Sequence, residues 1–88
     1  MQNCKLIQEF ECLVIRSNDK IIECEMHDLT RSSPVEYAEI FRSAFENFDT
    51  SVLIEGRVFY WKIFKNEKFY ENYFSEFQLR EDRIHAKL

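Results

Sequence analysis

Cys24-x-x-His27 has the residue types and part of the spacing of a metal site or a cysteine nucleophile with its base. Either chemistry needs both side chains to converge. The residues around the pair, Ile21 to Leu29, read as a strand, and strand positions i and i+3 point to opposite faces. No second ligand pair follows, and His85 is the sole other histidine. The same geometry removes the Cys/His nucleophile, and nothing identifies an oxyanion hole. A chain with one glycine has no phosphate-cradling loop. Its sixteen Asp and Glu offer carboxylate pairs, but acid–base work needs a cleft that shifts their pKa values. Ser32 and Ser33 precede Pro34 and invite a phosphorylation reading, yet a helix cap accounts for Ser33 without one. The sequence thus offers no catalytic residue, no cofactor and no metal site, and an enzyme is the less favoured expectation.

The elements that would position any site begin with length. Eighty-eight residues make one domain over 1–88, with a tail at 80–88 expected to fray. A composition 45% hydrophobic and 16% aromatic is too apolar for a disordered chain. The net charge is −4 and uneven. Residues 1–50 carry five Lys/Arg against ten Asp/Glu, and residues 51–88 carry seven against six. An acidic first half argues against nucleic acid, whose phosphates need clustered Lys/Arg. Arg57, Lys62, Lys65 and Lys68 among the aromatics do not reverse that balance. Three cysteines without a CxxC suggest a reducing compartment. Residues 1–5 lack a signal-peptide pattern, and no run nears eighteen apolar residues. The expectation is a cytoplasmic protein with no membrane partner.

Leu6–Ile15 and Ile21–Leu29 read as a hairpin around the turn formers Ser17-Asn18-Asp19-Lys20. An odd loop puts Leu6, Phe10, Cys12, Val14, Ile22, Cys24 and Met26 on one face, and Glu9, Glu11, Glu23 and Glu25 on the other. Ser33-Pro34-Val35-Glu36 then reads as a helix start. Tyr37, Ile40, Phe41, Ala44, Phe45 and Phe48 follow at helical spacing. Ser51–Ile54 and Arg57–Lys65 predict a second hairpin about Glu55-Gly56. From Asn66, the residues Phe69, Tyr70, Tyr73, Phe74 and Phe77 fall on one helical stripe, which predicts a second helix. The sum is an α+β domain: an antiparallel sheet of about four strands with one or two helices on it, in the order ββαββα.

The functional expectation is a small non-catalytic protein-interaction module: an adaptor, an inhibitor or a subunit of a complex. Its candidate contacts are Glu9, Glu11, Glu23 and Glu25 for a basic partner, and Tyr60, Trp61, Tyr70 and Phe74 as aromatic anchors. A homodimer through exposed aromatics of the second hairpin is a further expectation. Two alternatives stay open: a small-molecule-binding domain or minimal enzyme with an aromatic-lined pocket between sheet and helix, and an acidic inhibitor whose carboxylates stand where phosphates would go.

Overall fold

The first hairpin forms as its turn chemistry dictates. In the computed structural model, which describes residues 4–31, 33–66 and 72–80, β1 (Cys4–Ser17) pairs antiparallel with β2 (Ile21–Asp28). Asn18 holds the turn, its Oδ1 accepting from the backbone N–H groups of Lys20 and Ile21 at 2.8 Å each. Cys12 faces Met26 and Val14 faces Cys24, so the even positions Phe10 to Val14 of β1 share a face with the even positions of β2. That face is the core: Cys12, Val14, Ile22 and Cys24 are buried, and Phe10 and Met26 pack against them. Contact with Cys24 and burial both push the Cys12 thiol well above its ordinary pKa, so it behaves as a small neutral hydrophobe.

The predicted central helix is absent. Residues Glu36–Phe41 form β3, paired with β2, and one turn of 3-10 helix (Arg42–Ala44) follows. The helical stripe and a strand alternation coexist in this stretch. Ala38 and Ile40 face the core, while Tyr37 and Phe41 are 56% and 62% exposed. Six residues laid on β2 satisfy that strand's backbone edge, which a helix could not do, and tertiary pairing outweighs local periodicity. Ser33-Pro34 therefore starts no helix.

The second hairpin and second helix are also corrected. Ser51–Ile54 is no strand: Thr50–Val52 is a 3-10 turn, and Asp49 caps it by accepting from Ser51 N–H at 3.0 Å. Gly56 takes the turn at φ +92°, which a side chain rarely adopts. Then β4 (Val58–Asn66) pairs with β1, on the side away from β2. Residues Asn72–Leu79 form β5, paired with β4 in unbroken register; with aromatics on both faces, they follow the aromatic preference for strands. Residues 67–71 lie outside the described residues. The fold is all-β, one antiparallel sheet ordered β3-β2-β1-β4-β5, and the α+β description falls.

What replaces the helices is the connection from β3 to β4. To reach the far side of β1, residues 42–57 cross the inner face of the sheet. They bury Phe45 and Leu53 in the same cluster as Cys12, Val14, Ile22, Cys24 and Phe59. Phe45 meets Phe59 edge-on at 5.6 Å and Phe77 at 4.5 Å. The crossing ends by zipping onto β1, where Gly56 N–H donates to Val14 C=O and Val14 N–H donates to Arg57 C=O. The radius of gyration is 14.3 Å, against about 12 Å expected of a compact domain of this length. An open sheet with one thin covering layer accounts for the excess.

At the other end of β2, Asp28 ties the loop after the strand to β1. It is buried, and its Oδ1 accepts from the Thr30 hydroxyl at 2.5 Å and the Thr30 N–H at 2.9 Å. Gln8 Nε2 donates to its Oδ2 at 3.1 Å. These donors, Thr30 first, hold the Asp28 carboxyl at about 2, below its ordinary 3.8. A depressed carboxyl stabilises the fold fully above the ordinary value and loses that contribution as pH falls through 3.8 towards 2. Carboxyl-detected NMR titration should place the Asp28 midpoint near 2. Stability of Asp28→Asn should fall less steeply across that acid window than that of the parent chain. A midpoint at the ordinary value would remove this anchor.

Candidate functional site

The outer face of the sheet is the surface that the crossing segment leaves uncovered. Pairing registers fix which side chains share it, in rows across the strands. One row runs Tyr37, Glu25, Leu13, Val58, and the next Glu39, Glu23, Arg16. Beyond them run His27, Glu11, Tyr60, Gln78, then Glu9, Lys62, Glu76, then Leu6, Phe64, Phe74. Glu9, Glu11, Glu23 and Glu25 do share one face, as the alternation of β1 and β2 requires.

Their electrostatics are not uniform. Arg16 grips Glu23 with two parallel bonds, Nε to Oε2 at 3.0 Å and Nη2 to Oε1 at 2.9 Å. The Tyr37 hydroxyl lies 2.6 Å from Glu23 and 3.1 Å from Glu39. Arg16 and then Tyr37 lower the Glu23 carboxyl, and the same contact with Glu23 pushes the Tyr37 hydroxyl up to about 12. Arg80 Nη1 donates to Glu11 Oε2 at 3.1 Å, and the Tyr60 hydroxyl donates to the same oxygen at 3.4 Å. Glu9 faces Lys62 across the strands. Glu25 faces Tyr37 and Leu13, and its side chain makes no hydrogen bond or ion pair among the described residues. The face thus carries Glu9, Glu11, Glu23, Glu25, Glu39 and Glu76 against Arg16, Lys62 and Arg80, an acidic excess with internal neutralisation.

The aromatic anchors divide. Tyr60 and Phe74 lie on the outer face with the glutamates. Phe74 stacks on Phe64 with centroids 5.2 Å apart and planes at 16°, and 37% of it is exposed. Trp61 lies on the inner face, against Phe10 at 5.7 Å and Phe77 at 5.5 Å, its Nε1 donating to Ser75 Oγ at 2.9 Å. It is partly buried against the core and stands on the face opposite the glutamates. Tyr70 lies outside the described residues.

Two irregularities in β1 shape this face and have no signal in the sequence. The register shifts between Val14 and Arg16, which turns Arg16 outward onto Glu23. It shifts again between Leu6 and Gln8, which turns Leu6 outward beside Phe64 rather than inward beside Phe10. Leu6, Phe64 and Phe74 thereby form an apolar corner next to the charged rows. Tyr37 and Glu39 join the face only because β3 is a strand, so the helical reading hid them.

An open depression of about 600 Å³ lies over Glu9, Tyr60, Lys62, Gln78, Leu79 and Arg80. It holds one carboxylate beside two cations. Among the described residues no three His, Cys, Asp or Glu side chains converge as metal ligands, and no helix is long and apolar enough to cross a membrane. Cys24 is buried on the inner face while His27 is exposed on the outer, so the two do not meet. No protein-family model, no curated protein and no solved structure matches this chain.

Proposed function

We propose that this chain is a non-catalytic protein-interaction module whose outer sheet face docks a basic segment of another protein. The observation that carries the reading is that face: five strands wide, uncovered by the other described residues, with carboxylates in excess and an apolar corner at one end. Charge complementarity supplies orientation and on-rate, and Leu6, Phe64 and Phe74 supply area to bury. Glu9 and Glu25 are the carboxylates to test, because neither holds an arginine among the described residues. The phosphate-mimic alternative is less well supported, since Arg16 and Arg80 already occupy Glu23 and Glu11. The small-molecule alternative has lost the helix that would have roofed its pocket. Three free thiols, at Cys4, Cys12 and Cys24, support a reducing, cytoplasmic setting.

The test uses a partner captured by the wild-type chain and then purified. The double variant Glu9→Lys/Glu25→Lys should bind it about tenfold more weakly, the factor that about 1.4 kcal/mol produces. Wild-type affinity should also fall as salt rises. Equal binding by the double variant, with no salt dependence, would remove the outer face as the docking surface.

A further inference from the structure

The two free edges of the sheet are not alike. At β3 the edge is six residues long, follows Pro34 and carries Glu36 and Glu39. A short strand, proline and like charges are the devices by which sheets discourage edge-to-edge pairing. The β5 edge has none of them. Asn72–Leu79 contains no proline, lysine or arginine, keeps unbroken register on β4, and carries a single charge at Glu76. Tyr73, Phe74 and Ser75 on this strand are exposed.

From this contrast we infer that β5 is a self-pairing edge, joining a second copy of this chain across a two-fold axis through Ser75 to give one continuous ten-stranded sheet. The backbone sets the pairing. Arg80 N–H donates to Val58 C=O at 2.9 Å, so even-numbered residues of β5 turn their polar groups towards β4. In an antiparallel ladder this alternates, leaving the N–H and C=O of Tyr73, Ser75 and Phe77 aimed outward. Paired residues share a face, so a two-fold axis normal to the sheet must pass through a residue rather than between two. Two registers engage the most of β5, centred on Ser75 or on Glu76. Centring on Glu76 sets that carboxylate against its own copy, which is destabilising. Centring on Ser75 sets Phe74 beside the second copy's Glu76, and Tyr73 opposite its Phe77. The outward groups of Tyr73, Ser75 and Phe77 then all meet partners.

The side chains fit the same register. A cleft of about 240 Å³ opens at this edge, lined by Ala44, Glu46, Tyr73, Phe74, Ser75 and Phe77. Phe77 forms its wall and lies 4.5 Å from the buried Phe45. The second copy's Tyr73, opposite Phe77, drops its ring into this cleft, and the symmetric exchange covers a tyrosine that is 58% exposed in one copy. The two aromatic clusters become continuous across the axis. Such an isologous contact closes on itself and yields a dimer rather than a fibre. It leaves Glu9 and Glu25 untouched, so it stands or falls separately from the docking of a basic partner.

Light scattering over a roughly hundredfold range of protomer concentration tests this directly. The expected mass at the upper end is twice 10.8 kDa, with hydrogen exchange at Tyr73, Ser75 and Phe77 slowing as concentration rises. Tyr73→Ala takes the ring out of the cleft and should weaken the dimer about tenfold. Ser75→Pro removes an outward N–H without touching the β4 ladder and should do the same. Far-ultraviolet circular dichroism and urea unfolding report whether each variant keeps its fold. A monomer throughout the range overturns the inference, as does a dimer that a folded Tyr73→Ala leaves intact.

Discussion

Phe59→Ala should destabilise the fold by about 3–5 kcal/mol, the cost of emptying a large aromatic site in a core. Chains of this length have only roughly 4–13 kcal/mol of total stability, so the loss is a large share of it. Phe59 is 0% exposed and the largest fully buried side chain among the described residues. It lies where the covering segment meets the sheet: Phe45 presses on it from above, Cys12 pairs with it from β1, and Leu79 flanks it on β5. Few neighbours can move into the gap, because the sheet backbone is fixed on one side and the crossing is short. Urea unfolding should show a lower midpoint with unchanged slope. Phe74→Ala is the control, since Phe74 is an aromatic of the same sheet on the outer face; losing its stack on Phe64 should cost about 0.5–1.5 kcal/mol. Equal losses at Phe59 and Phe74 would mean that the core is not on the face assigned here.

The same contrast between faces explains what could be read from the sequence. In the first hairpin, Asn18 marks the turn, and the alternation Phe10, Cys12, Val14 against Glu9 and Glu11 specifies which side is buried. Period-two patterning and a strong turn are local signals, and both survive into the fold. The stretch Tyr37–Phe48 carries two patterns at once, and local chemistry cannot choose between them. The choice came from β2, whose outer edge needed backbone partners over Ile21–Met26. At 72–79 the aromatic composition pointed to a strand, and the helical stripe was the weaker signal. Its extension through Phe69 and Tyr70 lies outside the described residues.

The candidate site was half legible for a related reason. Four glutamates on one face follow from strand alternation alone. What neutralises them does not: Arg80 reaches Glu11 from 69 positions away, and Arg16 reaches Glu23 only through a register shift. Trp61 looked like an anchor because tryptophan suits interfaces. One residue of parity put it on the inner face, where Phe10 and Phe77 enclose it. Leu6 went the opposite way through the second shift. Bulges are set by how long strands coil around a core, so residues near them are those whose side a sequence leaves open.

Removing the Arg42 side chain should cost about 2–3 kcal/mol and should act first on the layer over the core rather than on the sheet. Arg42 Nε donates to the Asn18 C=O and Nη1 to the Thr50 C=O, both at 2.7 Å. One guanidinium thus ties the β1–β2 turn to the second 3-10 turn of the crossing. Hydrogen bonds to charged donors are worth about 1.5–3 kcal/mol each, and the half-buried position argues for the lower end. In Arg42→Ala the Asn18 carbonyl loses its side-chain donor and the Thr50 carbonyl keeps only the Leu53 N–H, and the crossing keeps few other polar ties to the hairpin: Arg42 N–H to Lys20 C=O, and the Gly56 and Arg57 bonds to Val14. Hydrogen exchange should therefore quicken at Phe45 and Leu53, whose amides donate to Arg42 and Thr50 carbonyls, while Cys12 and Cys24 in the central strands stay protected. Arg42→Lys should recover less than half the loss, because an ammonium cannot reach two carbonyls with the fixed fork of a guanidinium. Full rescue by lysine would show that charge alone suffices. Uniform acceleration across sheet and crossing would show that the crossing is not a separable layer but part of one cooperative core.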